Sequence, residues 1–298
     1  MRLSHRDNPV RLLTCDCRTA APAGTASTGT AGGNRYDPSV AIYIVSDLHG
    51  AEDALVKAVP EGATLLLLGD LINFIDYTSM SGILTEVFSV ETVSEVVRLR
   101  TEGDVLEARR VMEARSHGRE QEVRAEISSL VRTEYERVFE ALPEPTYLIL
   151  GNVDNPQLAA SLCETTPAVT LADGRVLELD GERFAFAGGA LPTPLHVAGE
   201  ISAEEMEAKV SSLGEADVLC SHVPPAVPEL CYDTRAKKTE RGSEDLLRYI
   251  EQVQPRRHYF GHVHQPLLSS MHVGRTLCLN VGYFRATRRA FAHRADDD

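Results

Sequence analysis

Seven residues of ligand type stand directly after short apolar runs in this chain: Asp47 and His49, Asp70, Asn152, His222, and His262 with His264. Carboxylate, imidazole and amide oxygen without thiolate form a donor set suited to first-row divalent ions such as Mn, Fe or Zn. Asp47-Leu48-His49 and His262-Val263-His264 are each spaced by two. In an extended strand, both side chains of such a pair would leave on one side. Seven donors exceed what one catalytic ion needs and fit two ions sharing a bridging carboxylate. Any one of these histidines alone reads as a hydrogen-bonded structural residue. Five separate strand ends, most of them beside a glycine, read together as a site.

A metal ligand needs a rigid support. The clearest support is 64–68, a threonine and four leucines. The run is too short for a membrane span and suits a strand buried on both faces of a sheet. Gly69 then turns the backbone and Asp70 emerges at the strand end. The β-branched run 40–45 ends at Asp47, 146–150 at Gly151-Asn152-Val153-Asp154, 216–220 at His222, and 257–260 at Gly261-His262. A short helix at 53–56 between the first two runs indicates a parallel α/β start. Asn155 followed by Pro156 predicts a helix start, a side-chain cap and then proline at the first helical position. Alternating segments at 175–179 and 183–187, joined by Asp180-Gly181-Glu182, predict a β-hairpin feeding a second sheet. Helices are predicted over 203–213 and 244–252, and a last strand over 276–282. The arginine-rich tail beyond it is expected to add little.

Between about 74 and 142 charged residues dominate, and glycine and proline almost vanish. Val123, Ile127, Leu130, Val131, Val138, Phe139 and Leu142 recur at three- and four-residue steps, which is an amphipathic helix. An earlier helical pair breaks near Thr101-Glu102-Gly103-Asp104, and Gly118 marks the next break. This helical insertion is expected to pack as a hairpin over the sheet edge, as a scaffold or a homo-oligomer surface, the alternative being a cap that shapes substrate entry. Residues 1–38 lack periodicity and read as a disordered, low-complexity tail, with an acidic end at 295–298.

With 298 residues, 43% of them hydrophobic, the chain can bury a sizeable core. A formal net charge of −14 disfavours nucleic acid and anionic membrane as partners, but not a small phosphate ester held by metal ions. The six cysteines form no C-x-x-C pair and read as reduced thiols of a cytoplasmic protein. No signal-length apolar run precedes Cys15, which argues against secretion.

Asp47-Leu48-His49, Gly69-Asp70, Gly151-Asn152-Val153-Asp154, His222 and Gly261-His262-Val263-His264 resemble, in order, the signature of the calcineurin-like metallophosphoesterases. The stretch from His222-Val223-Pro224-Pro225 to the H-x-H resembles the small bacterial phosphodiesterase-like branch. The resemblance spans about 40–282 and implies a four-layer αββα sandwich of two mixed β-sheets. It further implies that Asp47, His49 and His264 bind one divalent ion and Asn152, His222 and His262 another, with Asp70 bridging. Asp70, Asn152 and His222 would then serve catalysis. The implied reaction is in-line attack on a phosphoester by a hydroxide bridging the ions.

The chain departs from the family pattern at Val153, where many members place a histidine as acid for the leaving group. It departs again at Asn73, where they often place the paired aspartate. General-acid catalysis contributes about 10²–10⁴-fold, so the expectation is a phosphodiesterase acting slowly or on good leaving groups. His196 is an alternative donor. Arg235, Lys237, Lys238 and Arg241 could hold substrate phosphate, although a solvated loop is the blander reading. Two alternatives stand beside this one: a nuclease of the same chemistry, and a non-catalytic, metal-supported binding module that has lost its acid.

Overall fold

Leu65 and Leu67 face one way from their strand and Leu66 and Leu68 the other, and all four are fully buried. That alternation organises the molecule. The computed structural model describes residues 42–76, 79–193 and 197–295. The expected 1–38 tail, His196 and the acidic end beyond Ala295 lie outside the described residues.

The chain opens with strand β1 (Ile42–Val45), a 3-10 turn and the short helix α1 (Leu55–Ala58), then the leucine strand β2 (Thr64–Leu68). Helices α2 (Ile83–Val87), α3 (Val90–Thr101), α4 (Val105–Ser116) and α5 (Glu120–Ala141) follow before β3 (Thr146–Ile149). Helix α6 (Pro156–Thr165), capped by the Asn155 side chain on Leu158 N–H as predicted, leads to β4 (Val169–Leu171). The hairpin β5 (Val176–Leu179) and β6 (Glu182–Ala187) forms where expected. Then come α7 (Ala203–Ser212), β7 (Val218–Ser221), α8 (Pro228–Cys231) and a small ribbon of β8 (Tyr232–Asp233) with β9 (Lys238–Thr239). The chain closes with α9 (Glu244–Val253), β10 (Arg257–Phe260), β11 (Ser270–Val273), β12 (Thr276–Asn280), α10 (Phe284–Thr287) and β13 (Phe291–His293).

Two mixed sheets result, in the orders β13-β1-β2-β3-β4 and β11-β12-β10-β7-β6-β5. Ile44, Leu66, Leu68 and Ile149 meet Phe184, Phe186, Val218 and Tyr259 between the sheets. The outer face of the first sheet packs under α1, α5 and α6, and that of the second under α7 and α9. Helices, sheet, sheet and helices make the expected αββα sandwich.

Two expectations need correction. The insertion does not simply lie over a sheet edge. α3 and α4 form a hairpin through Val96, Leu99 and Ala108, but Tyr135, Val138 and Phe139 of α5 cover the face of the first sheet against Leu65, Leu67 and Leu148. The reason is topological: β2 and β3 are parallel neighbours, parallel strands need a crossover, and α5 is that crossover. Nor is the C-terminal tail idle. β13 pairs antiparallel with β1, Ile42 opposite His293 and Ile44 opposite Phe291, and so covers backbone groups that an edge strand would expose.

Candidate metal centre

Parallel neighbours end together, with Val45 beside Leu67, Leu68 beside Ile149 and Tyr259 beside Cys220. Ligand-type residues therefore emerge along one rim shared by both sheets, the usual functional edge of parallel α/β architecture. The turns are tied to one another. Asp47 N–H donates to Gly69 O (3.1 Å), His49 N–H to Asp70 O (2.9 Å), and Gly261 N–H to His222 O (3.0 Å). A Cβ on Gly69 would fall on Gly151 N, and one on Gly151 would strike the Asp70 carboxylate. Only glycine lets the β2 and β3 turns close on each other this tightly.

The expectation that D-x-H and H-x-H work through an extended strand fails. Asp47 (φ 56°), His49 (φ 43°), Asp70 (φ 55°) and His262 (φ 66°) are all left-handed. The side chains converge because of turn geometry after the strand, not strand pleat.

All seven expected ligand residues nevertheless come together. His264 Nε2 lies 3.4 Å from Asp47 Oδ1, and His49 Nε2 lies 3.6 Å from Asp70 Oδ2. His222 Nε2 lies 3.6 Å from Asp70 Oδ1 and 3.1 Å from Asn152 Oδ1, which is 2.9 Å from His262 Nδ1. Asp47, His49 and His264 present atoms within 4.8 Å of one another, as do Asp47, Asp70 and His222. Asp47 thus belongs to both groups, while the two oxygens of Asp70 face one histidine from each side.

The tautomers favour a cation here. His222 Nδ1 contacts Leu68 O at 2.8 Å and His49 Nδ1 contacts Ile72 O at 3.1 Å. Carbonyls only accept, so both Nδ1 atoms carry the proton and both Nε2 lone pairs point into the site. His49 Nε2 is buried without a hydrogen-bond partner. His222 Nε2 meets only acceptor oxygens, those of Asn152 and Asp70. The Nε2 lone pairs of His49 and His222, converging with carboxylate and amide oxygens, fit a divalent metal ion of the Mn, Fe or Zn type.

Burial and neighbouring charge agree. Burial works to raise Asp47, yet its hydrogen bond with His264 and the surrounding histidines hold it well below the usual carboxylate range. Burial, reinforced by the Asp47 charge and opposed by His222, raises Asp70. Burial and neighbouring imidazoles push His49 down to about 4 and His262 to about 3, which keeps them in the neutral, ligating form.

Behind the ligands lies a carboxylate whose role the sequence left unassigned, although it stands inside the quoted Gly151–Asp154 motif. Asp154 is fully buried and accepts from Asp70 N–H (2.8 Å), Gly151 N–H (2.7 Å), Leu71 N–H (3.0 Å) and Tyr135 O–H (3.1 Å). It pins the β2 turn to the β3 turn. Burial and the Asp70 charge raise its pKa to about 6. The insertion reaches the same place, because Tyr135 Oη also accepts from Asn155 N–H (2.7 Å) and Glu134 accepts from Asn73 N–H (2.6 Å). Val153 donates its N–H to Asp70 Oδ1 (3.0 Å), and its side chain packs on the apolar core.

The expected phosphate-holding residues are placed unevenly. Arg235 is exposed but close enough for its charge to act on Tyr283 beside the ligands, and Lys238 likewise acts on His262. Arg241 donates to Pro192 O (3.1 Å). Lys237 is exposed in a left-handed turn position. The loop itself is anchored by buried Asp233, which accepts from Arg235 N–H, Ala236 N–H and Gln265 N–H.

A family model described as calcineurin-like phosphoesterase matches residues 40–266. No curated protein matches the chain. One solved structure aligns at 16% identity over 82% of this chain and 90% of its own, with a TM-score of 0.49. Another, a protein of unknown function from Aquifex aeolicus, aligns at 14% identity over 84% of this chain and 94% of its own, with a TM-score of 0.38. Among the described residues, no helix is long and apolar enough to cross a membrane.

Proposed function

We propose, from the premise that this chain belongs to the calcineurin-like phosphoesterase family, that it is a dinuclear metal-dependent phosphodiesterase acting on a small phosphate ester. Asp47, His49 and His264 would hold one ion and Asn152, His222 and His262 the other, with Asp70 between them. The observation that carries this reading is the split of Asp70, with Oδ2 towards His49 and Oδ1 towards His222 at 3.6 Å each. Bound there, divalent ions such as Mn, Fe or Zn would supply an activated water and charge stabilisation for in-line displacement at phosphorus. The chain's own part is positional. Leu68 O and Ile72 O aim the imidazoles, Asp154 clamps the Asp70 turn, and Val153 N–H fixes Asp70 Oδ1.

Preference for diesters with good leaving groups rests on the missing acid. Val153 offers no donor in its side chain, and Asn73, whose backbone N–H is held by Glu134 of α5, offers an amide in place of a carboxylate. Arg235 and Lys238, whose charges act on Tyr283 and His262, are better candidates than Arg241 or Lys237 to meet substrate phosphate. We retain the cytoplasmic assignment as a proposal supported by the free thiols Cys163, Cys220, Cys231 and Cys278. The test is metal analysis with a panel of chromogenic phosphodiesters and monoesters, wild type against Asp70→Asn. The expected result is near two ions per chain and diester turnover that the substitution abolishes. A metal-free protein, or turnover that Asp70→Asn leaves intact, would sink the reading.

A further inference from the structure

We propose that Tyr283 is a substrate-contacting residue, its hydroxyl donating a hydrogen bond to the phosphate ester held at the Asp47–His49–His264 end of the centre. This rests on the phosphoesterase reading above. The Tyr283 ring lies flat on His264, centroids 3.9 Å apart with an interplanar angle of 3°, and meets the His49 ring edge-on at 5.6 Å. It is therefore a wall of the ligand set, and it remains partly exposed.

The ring is held from both sides. Before it, Gly282 N–H donates to Asn280 Oδ1 (2.9 Å), and Asn280 Nδ2 donates to Gly261 O (3.2 Å) and Val263 O (2.9 Å). After it, Phe284 N–H donates to Ser46 O and Arg285 N–H to Asp47 O, both at 3.2 Å, while the Arg285 guanidinium donates to His49 O (2.5 Å). The strap 280–285 thus crosses from β12 of the second sheet to the first, fastening the D-x-H turn and the H-x-H turn with Tyr283 between them. A donor placed this way costs little ordering when substrate arrives.

Stacking accounts for the ring but not for the hydroxyl, since phenylalanine would stack as well. Among the described residues the hydroxyl makes no hydrogen bond to the protein. The charges of Asp76 and Asp47 act on it, opposed by those of Arg285 and Arg235. A phenol, with an ordinary pKa of about 10, is a neutral donor at ordinary pH. A neutral donor facing an anionic phosphoryl oxygen needs no proton transfer, and Val153 leaves that task open on the far side of the site.

Tyr283→Phe keeps the ring and removes only the donor. The metal-loaded full chain is compared with the variant in two measurements: inorganic phosphate binding by calorimetry, and kcat/KM on a chromogenic phosphodiester. The expected result is about tenfold or greater loss in both, with metal content and melting temperature unchanged. Wild-type values for the variant in both assays would overturn the proposal. So would loss of metal from the variant, because the hydroxyl would then serve the ligands rather than the substrate. A metal-loaded wild type that neither binds phosphate nor turns over any ester would instead overturn the phosphoesterase reading, and this one with it.

Discussion

His258 lies in the middle of β10, fully buried, and makes one hydrogen bond, from Nε2 to Ser221 Oγ at 2.7 Å. Ser221 spends its own proton on Val223 O (2.7 Å), so its oxygen must accept from His258. That leaves Nδ1 as the bare nitrogen, buried without a partner. Protonating it would place both a charge and an unanswered donor in the core, and burial accordingly pushes the pKa from 6.5 down to about 3. A histidine depressed on folding binds fewer protons in the native state than in the unfolded one. Its contribution is therefore complete above pH 6.5 and is lost as pH falls towards 3. With those two values the loss at pH 5 is about 2 kcal/mol. Urea unfolding at pH 8 and pH 5, in chelator, should show wild type losing about 2 kcal/mol more than His258→Leu. The difference should persist when Mn is added, because His258 is not among the ligand-type residues of the centre. Equal losses in the two proteins would refute the reasoning.

Three further outcomes follow from the site. In chelator, Asp70→Asn should melt at or above the wild-type temperature, since it removes one of the three buried neighbouring carboxylates Asp47, Asp70 and Asp154, and wild type should overtake it once Mn is present. A chelated variant that melts clearly below wild type would contradict the electrostatics. Val153→His combined with Asn73→Asp should raise monoester turnover tenfold or more, within the roughly 10²–10⁴-fold range of general-acid catalysis. An unchanged rate at wild-type metal content would show that the missing dyad does not limit the reaction. Tyr135→Phe deprives Asp154 of a donor and Asn155 N–H of its acceptor, and should cost about 1–3 kcal/mol in chemical denaturation, against no change if the network is idle.

The five strands that end at the site were legible because each is a short, largely apolar run stopped by a ligand-type residue, and burial on both faces needs no partner to be named. The Leu65–Leu68 alternation is a property of the strand itself. What could not be read depends on partners. The stripe of α5 shows an apolar face but not that the face belongs to the first sheet, nor that Glu134 and Tyr135 would reach the β2 and β3 turns. Phe291-Ala292-His293 is too short to announce a strand, and only the unpaired edge of β1 gives it a reason to form one. Tyr283 carries no local pattern at all, because its stack on His264 joins residues nineteen apart through two different turns.

The left-handed residues bear on the site more directly than any spacing rule. At Gly50 and Gly69 this chain uses glycine where φ is positive, at little steric cost. At Asp47, His49, Asp70 and His262 it keeps a side chain in the same region, where an L-residue is disfavoured by about 1–2 kcal/mol. Aspartate is among the residues that tolerate the conformation, and the Asp47 carboxylate is spent on another turn, accepting from His262 N–H at 3.0 Å. His49 likewise bonds outside its own turn, its Nδ1 going to Ile72 O. Turn geometry alone would favour glycine at all four positions. The side chains that stand there instead converge on one another, with His49 Nε2 unanswered. Four of the nine left-handed non-glycine residues described stand in this one ligand set, a concentration of strain that converging lone pairs require and an ordinary turn does not.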